Sequence, residues 1–589
     1  MTAFRTLLLS ASVLSALSTL AFAGTIEFAP IPTPTEDATK RQITVSPSVK
    51  VDGKEVALKW NTIARSGQKI GDGVFGALLD KVGHAVLDKT GAPSISDGAD
   101  FTSILPVGGK LYSITHFEAR PAAMYLSELS QGDDGTLTAL STRSIDFSAL
   151  GGLWNPCAGS VTPWNTHLGS EEYPPDARAI ENADSYADLD GEMLDMAKYF
   201  GVNPTIAPLA SFKSVFRPYE FGFPIEISFN DKGEPAVTKH YAMGRVAVEL
   251  ALVMPDKKTA YISDDGLNTG LYRFFADKEG DLSAGQLYAA KWEQTSAEGA
   301  GAANITWVDL GHGTDAEIAA AQKFGVSFSD IFDVAKIKDD GSCPEGFMSS
   351  NAEGRTECLK VKQGMGVYAS RLETRRYASM LGATTEFRKM EGLAHDAEGN
   401  RLFMAMSEVS NGMEDAINQN IFDKGGRNDI KLSKNACGAV YEMTYDANYV
   451  VTGASGFIAG KPTKYKDGPF AGQTCDVDAI ANPDNLSFIP GYGTLLIGED
   501  TGSGHQNDAS WAVNVGTKAL TRITTTPYGA ENTSLDWYAD INGFGYLMTV
   551  VQHPYGESDT DKLKSPEDAR AYVGYIGPFP AFKKKASAQ

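Results

Sequence analysis

The feature that most constrains this chain is a unit that returns at irregular intervals: an acid, an apolar strand, a tight polar turn, a second strand, and a closing polar or acidic group. "ELALVMPDKKTAYISDD" (Glu249 to Asp265), "EGLAHDAEGNRLFMAMSE" (Glu391 to Glu408) and "DNLSFIPGYGTLLIGED" (Asp484 to Asp500) share this order, and weaker versions run from Asp97 to Glu118 and from Glu531 to His553. Opening acid and closing group lie 15 residues apart for Glu249 and Asp264, 15 for Asp484 and Glu499, and 17 for Glu391 and Glu408. That is the length of a β-hairpin. Hairpins repeated with insertions between them predict a β-propeller, in which the start of each inner strand faces the central channel. An acid opening one strand is ordinary turn chemistry. Several aligned acids predict that Glu249, Glu391, Asp484 and Glu531 converge on the axis.

Composition agrees with an all-β fold. The chain has 60 Gly, 23 Tyr and 28 Phe, and its short alternating runs are separated by Gly, Asp, Asn and Pro. Its 589 residues exceed one ordinary core and suit several domains or one large modular β architecture. Amphipathic helices are expected over "ENADSYADLDGEMLDMAKYFGV" (Glu181 to Val202) and "DAEIAAAQKFG" (Asp315 to Gly325). With no low-complexity linker, residues 24–589 read as one propeller domain with helical and disulfide-bearing insertions.

Residues 1–23 have the plan of a secretory signal peptide: Arg5, an apolar run from Leu7 to Leu20, then "AFA" at Ala21 to Ala23. The run is short of the ~20 residues that span a bilayer, so no membrane anchor is expected. No Arg-Arg pair precedes it, which favours Sec export to the periplasm or the medium. A net charge of -22 argues against nucleic acid or an anionic membrane as partner. Most of the 74 acids serve solubility, which leaves the aligned ones for cations.

Cysteine arithmetic isolates one thiol. In an oxidising compartment Cys343 with Cys358, and Cys437 with Cys475, are expected disulfides. Cys157 is left over in "WNPCAGSVTPWNTHLGSEEY" (Trp154 to Tyr173). A free thiol is commonly an inert buried hydrophobe. Its polar, acidic neighbours make a metal ligand or a reactive thiol the competing reading. Carboxylates gathered in a channel need protons or cations to neutralise them. Oxygen ligands suit calcium or magnesium, whereas a thiolate suits a softer ion such as iron or zinc, so Cys157 with Glu171 and Glu172 suggests a mixed site. His116, His167 and His553 are further ligand candidates, although a lone His beside an aromatic more commonly packs or supports a ligand.

"NPCAGSVTPWNTHLGSEE", "GRVAVELALVMPDKKTAYISDDGLNTGLYRFF", "PDNLSFIPGYGTLLIGED", "GAENTSLDW" and "VVQHP", in this order, resemble the bacterial alkaline phosphatases of the PhoX family. The resemblance implies a six-bladed propeller with long inserted loops and a few short helices, holding iron and calcium in its channel. It also implies a periplasmic phosphomonoesterase acting on small-molecule phosphoesters; a monomer is expected. Residue by residue it makes Cys157 an iron ligand and places Glu172, Glu249, Glu391, Asp484, Glu118 and Glu531 among the metal ligands. The family's arginine two positions before Glu391 is Lys389 here, beside Arg388, and a lysine is a point charge rather than a bidentate clamp. Arg388 or Lys389 is the expected grip on the substrate, and no lysine stands around Gly493. Two other readings remain open: a calcium-dependent propeller hydrolase of another ester, which needs the carboxylates but not Cys157, and a non-catalytic, calcium-stabilised binding propeller.

Overall fold

Each hairpin legible in the sequence grows by two further strands into an antiparallel sheet of four. The computed structural model describes residues 24–230, 232–415 and 426–582, so the expected signal peptide lies outside the described residues. Blade one comprises Ala99–Val107, Lys110–Phe117, Ala123–Gln131 and Leu137–Ser144. Blade two comprises Ser160–Val161, His167–Gly169, Ile225–Phe229 and Pro235–Lys239. Blade three runs through Val248–Val253, Thr259–Asp264, Tyr272–Lys278 and Asp281–Ser296, and blade four through Met390–Asp396, Arg401–Met406, Ala439–Tyr445 and Val451–Ala459. An extra strand, Ala302–Thr314, pairs with both blades and fuses them into one nine-stranded sheet. Blade five is Pro483–Ile489, Thr494–Glu499, Ala509–Asn514 and Leu520–Thr525, with Thr44–Val45 on its edge.

Blade six closes the ring. Glu531–Ile541, Phe544–Gln552 and Tyr572–Pro580 take their fourth strand, Lys59–Arg65, from the other end of the chain, with Tyr572 opposite Arg65. The fold is therefore a six-bladed propeller, as the hairpin repeat and the resemblance together imply. Apolar side chains on both faces of the blades form the core between neighbours. Between blades four and five, for example, Ala394, Phe403 and Val440 pack with Leu486, Phe488, Ile497 and Trp511.

The inner strands share an irregularity. Strand pairing slips between Ala99 and Thr102, Val248 and Ala251, Met390 and Leu393, and Pro483 and Leu486. Each slip brackets an acid: Asp100, Glu249, Glu391 or Asp484. In blade six the slip falls between Thr533 and Asp536, just after Glu531. A β-bulge of this kind bends the strand and re-aims its side chains, here at the start of every inner strand that carries an acid.

Long insertions sit outside the blades. The stretch read as one helix over Glu181 to Val202 is instead two, Ala177–Asn182 and Gly191–Tyr199, separated by a 3-10 turn, Tyr186–Asp188, that Ser185 and Asp188 cap reciprocally. The second expected helix forms over Asp315–Lys323, with the Thr314 hydroxyl accepting from the Glu317 amide. Cys343–Cys358 and Cys437–Cys475 are disulfides, and Cys157 is a free thiol. Among the described residues no helix is long and apolar enough to cross a membrane.

Candidate metal centre

All six blades place a ligand-type residue at the start of the inner strand or just ahead of it. Five are carboxylates: Asp100, Glu249, Glu391, Asp484 and Glu531. Blade two contributes Cys157, three residues before its inner strand begins. Three groups result, each with its ligand atoms within 4.8 Å of one another: Asp100, Glu118 and Cys157; Cys157, Glu172 and Glu249; Glu249, Glu391 and Asp484. Cys157 and Glu249 belong to two groups each, so the three form one continuous chain across the channel.

A second row comes from the ends of the second strands: Glu118, Glu172, Asp265, Glu408, Asp500 and His553. In three blades this row contains two adjacent acids with separate jobs. Glu171 is fully buried and accepts from Lys239 Nζ at 2.8 Å, Gly222 N at 2.9 Å and Trp154 N at 3.0 Å. Asp264 accepts from Arg375, from Ala247 N at 3.0 Å and from Gly270 N at 3.1 Å. Glu499 accepts from Trp511 Nε1 at 2.6 Å, Ala481 N at 2.8 Å, Ala509 N at 2.9 Å and His505 Nδ1 at 2.9 Å. The following acids, Glu172, Asp265 and Asp500, interact with the axial site instead.

Asp100, Asp265 and Asp500 lie outside the ligand set that the sequence suggests. The blade-one unit opens in the sequence at Asp97, which is exposed, whereas the buried acid of that strand is Asp100. Among the ligands the sequence suggests, Glu531 packs beside Asp484 and takes His553 Nε2 at 3.3 Å, and His553 also reaches Glu557 at 3.5 Å. Asn155 Nδ2 donates to both Glu118, at 3.0 Å, and Glu172, at 3.2 Å. Gln552 donates to the other oxygen of Glu118 at 2.8 Å. Lys389 Nζ lies 3.2 Å from Asp500 and 3.6 Å from Glu391. Arg388 sits further out, donating to the Gly266 carbonyl at 3.3 Å and lying 3.4 Å from Glu408.

The electrostatics of the site call for a cation. Burial, reinforced by neighbouring carboxylates, holds Asp100, Glu172, Glu249, Glu391 and Glu531 well above the usual carboxylate range and lifts Asp484 to about 7. The Cys157 thiol is pushed up by burial and then by Asp100, Glu249, Glu172 and Glu118. Burial opposes the Lys389 ammonium, but Asp500 and Glu391 outweigh it and raise its pKa far above the ordinary value. One amine does not balance so many acids. Among the described residues, one oxygen each of Asp100, Asp265, Glu249 and Glu391 is buried and accepts no hydrogen bond, which is costly unless a cation takes it. The carboxylates offer hard oxygen donors and Cys157 a soft sulfur, so the donor set fits metal ions of two kinds.

Comparison with curated protein sequences finds no match. Among solved structures, Pseudomonas fluorescens PhoX in complex with vanadate, a transition state analogue, aligns over 94% of this chain and 98% of its own, with 18% identity and a TM-score of 0.59. Saccharomyces cerevisiae Sqt1 (8% identity; 86% of this chain, 100% of that one) and the Xanthomonas campestris gluconolactonase XC5397 (9%; 85% and 98%) both align at a TM-score of 0.28. The sequence model described as alkaline phosphatase PhoX matches residues 120–554, most of the six blades and the greater part of the site. The chain belongs to the alkaline phosphatase PhoX family.

Proposed function

We propose that this chain is an exported, metal-dependent phosphomonoesterase that releases phosphate from small organic phosphoesters, with iron held by Cys157 and calcium held by the carboxylates. The observation that carries the reading is the continuous chain of three ligand groups through Cys157 and Glu249. The two other readings drawn from the sequence use the carboxylates but leave Cys157 without a role. Two disulfides and the expected signal peptide support export.

When bound, the ions supply Lewis-acid chemistry, offsetting charge on the phosphoryl oxygens and favouring attack by an oxygen nucleophile. The protein supplies positioning. Asn155 fixes Glu118 and Glu172 together, Asn485 donates to Asp484, and the Tyr173 hydroxyl donates to Asp265. Lys389 brings a positive charge to the mouth of the site, where its side chain is 21% exposed, in reach of a substrate anion. Arg388, 22% exposed at the rim, is the second cation available to phosphate.

Elemental analysis of the purified protein together with an aryl phosphate assay tests the reading. Iron and calcium should both be present, with hydrolysis that disappears on their removal. Calcium without iron, or iron and calcium without hydrolysis, would refute it.

A further inference from the structure

We propose that His116 is a positioning residue for Cys157, the last link of a one-way hydrogen-bond relay, Ser103 to His167 to His116, that fixes the Cys157 carbonyl and thereby the direction of its sulfur. The proposal rests on Cys157 being a metal ligand. Three distances define the relay: Ser103 Oγ to His167 Nδ1 at 2.8 Å, His167 Nε2 to His116 Nε2 at 2.7 Å, and His116 Nδ1 to the Cys157 carbonyl oxygen at 2.5 Å. Ser103, His116 and His167 are all buried. The two rings meet edge to face at 4.8 Å, with Phe101 against both.

The chemistry of the acceptors orders the protons. A carbonyl only accepts, so His116 Nδ1 carries hydrogen. Both rings are buried, and their partners are a hydroxyl, a carbonyl and each other, with no carboxylate among them to balance a charge, so the neutral form is the one this environment holds. A neutral imidazole has one N–H, which leaves His116 Nε2 as an acceptor and His167 Nε2 as its donor. His167 Nδ1 must then accept, and the Ser103 hydroxyl donates. Every hydrogen in the relay points towards Cys157.

The other side of the cysteine is held as well. Its N–H donates to Ser170 Oγ at 3.0 Å, and that hydroxyl donates onward to the Ala158 carbonyl at 2.7 Å. Cys157 thus has both backbone groups fixed by side chains. Gly169 makes room for the relay, because a Cβ there would lie 2.7 Å from His116 Nε2. Partners that orient ligands in this manner typically change metal affinity about 10- to 100-fold when lost.

The test follows iron in the purified holoenzyme by its sulfur-to-iron charge-transfer absorption and by its rate of loss to a chelator. His116→Leu removes the donor to the carbonyl, and His116→Asn restores an amide N–H near the place of Nδ1. We expect the band of His116→Leu to shift and its iron to leave roughly tenfold faster or more, while His116→Asn stays close to the parent. If His116→Leu does not fold, Ser103→Ala, which removes one hydroxyl at the far end, should accelerate iron loss in the same direction. An unchanged band and unchanged iron retention in His116→Leu, or in Ser103→Ala where that variant decides, overturns the proposal, as does equal loss in the Leu and Asn variants at equal melting temperature. Cys157→Ser separates the two levels. Loss of iron there with no effect of His116→Leu removes only the relay, whereas iron and band retained in Cys157→Ser removes the ligand reading beneath it.

Discussion

Two acids side by side at the end of a strand do opposite work here because successive side chains point to opposite sides of the backbone. Glu171, Asp264 and Glu499 turn inward to backbone amides and a cation, and Glu172, Asp265 and Asp500 turn to the axis. Spacing alone assigns the closing groups to Asp264 and Glu499, one residue before the axial Asp265 and Asp500. The difference depends on partners that a linear reading does not assign, such as Lys239 for Glu171 and Arg375 for Asp264, 68 and 111 residues away. Glu172, by contrast, was legible from the motif that closes after Cys157. Lys389 is the residue whose role is tested most directly. It sits in the left-handed backbone region, at φ 50°, with its ammonium between Asp500 and Glu391. Lys389→Met should raise KM for an aryl phosphate by about 10- to 100-fold, the worth of one hydrogen bond to a charged group, and Lys389→Arg should recover most of it. An unchanged KM with intact metal content would show that Lys389 pairs only with the acids.

Elements were legible where periodicity carried them and hidden where register did. The hairpins of blades three, four and five stood out as acid, strand, turn and strand. The bulges that aim Asp100, Glu249, Glu391 and Asp484 leave no mark in composition, because they arise from how two strands pair. The inserted helices attach by specific ion pairs, and one of these is sensitive to pH. His240, just past the last strand of blade two, places Nε2 at 2.9 Å from Glu226 in the neighbouring strand and Nδ1 at 3.2 Å from Asp315, the first residue of the helix Asp315–Lys323. Burial opposes its charge, but the two carboxylates outweigh burial and raise it to about 9. Burial keeps Asp315 high even so, while Glu226, which also accepts from Thr166 and Trp164, is held low; His240 with Glu226 is therefore the stabilising pair. A histidine raised on folding stabilises fully below its unfolded value of about 6.5 and loses that contribution as pH climbs through about 9. The amount is at most roughly 3 kcal/mol. His240→Gln should melt clearly below the parent at pH 6, with the gap closing above pH 9. A gap independent of pH would mean that packing, not charge, holds this contact.

At the scale of the whole molecule, the ring and the site depend on each other. Lys59–Arg65 closes blade six by pairing with a strand some 500 residues later, a contact invisible to any local pattern, and only a closed ring brings six inner strands to one axis. What it brings together is mutually repulsive: Asp100, Glu249, Glu391, Asp484 and Glu531 are all buried, with raised carboxyls and, among the described residues, the one Lys389 amine beside them. Removing bound cations should therefore weaken the fold as well as stop the chemistry. A ligand that binds only the folded state contributes RT ln(1 + [L]/Kd), about 2.7 kcal/mol at a hundredfold excess over Kd. The pH dependence has a definite sign. Asp484 is raised on folding from 3.8 to about 7, so in the stripped protein its favourable contribution is complete below pH 4 and lost as pH rises through 7. Chelation should thus lower the melting temperature more at pH 9 than at pH 5, and calcium should restore melting fully but activity only where iron has stayed bound. Asp484→Asn should bind calcium more weakly than the parent, yet in the stripped state lose less stability between pH 5 and pH 9, because one of the facing charges is gone. If chelation leaves melting unchanged at both pH values and Asp484→Asn keeps its full metal content, the acids at the inner strands are ordinary strand-opening residues and the propeller stands without cations on its axis.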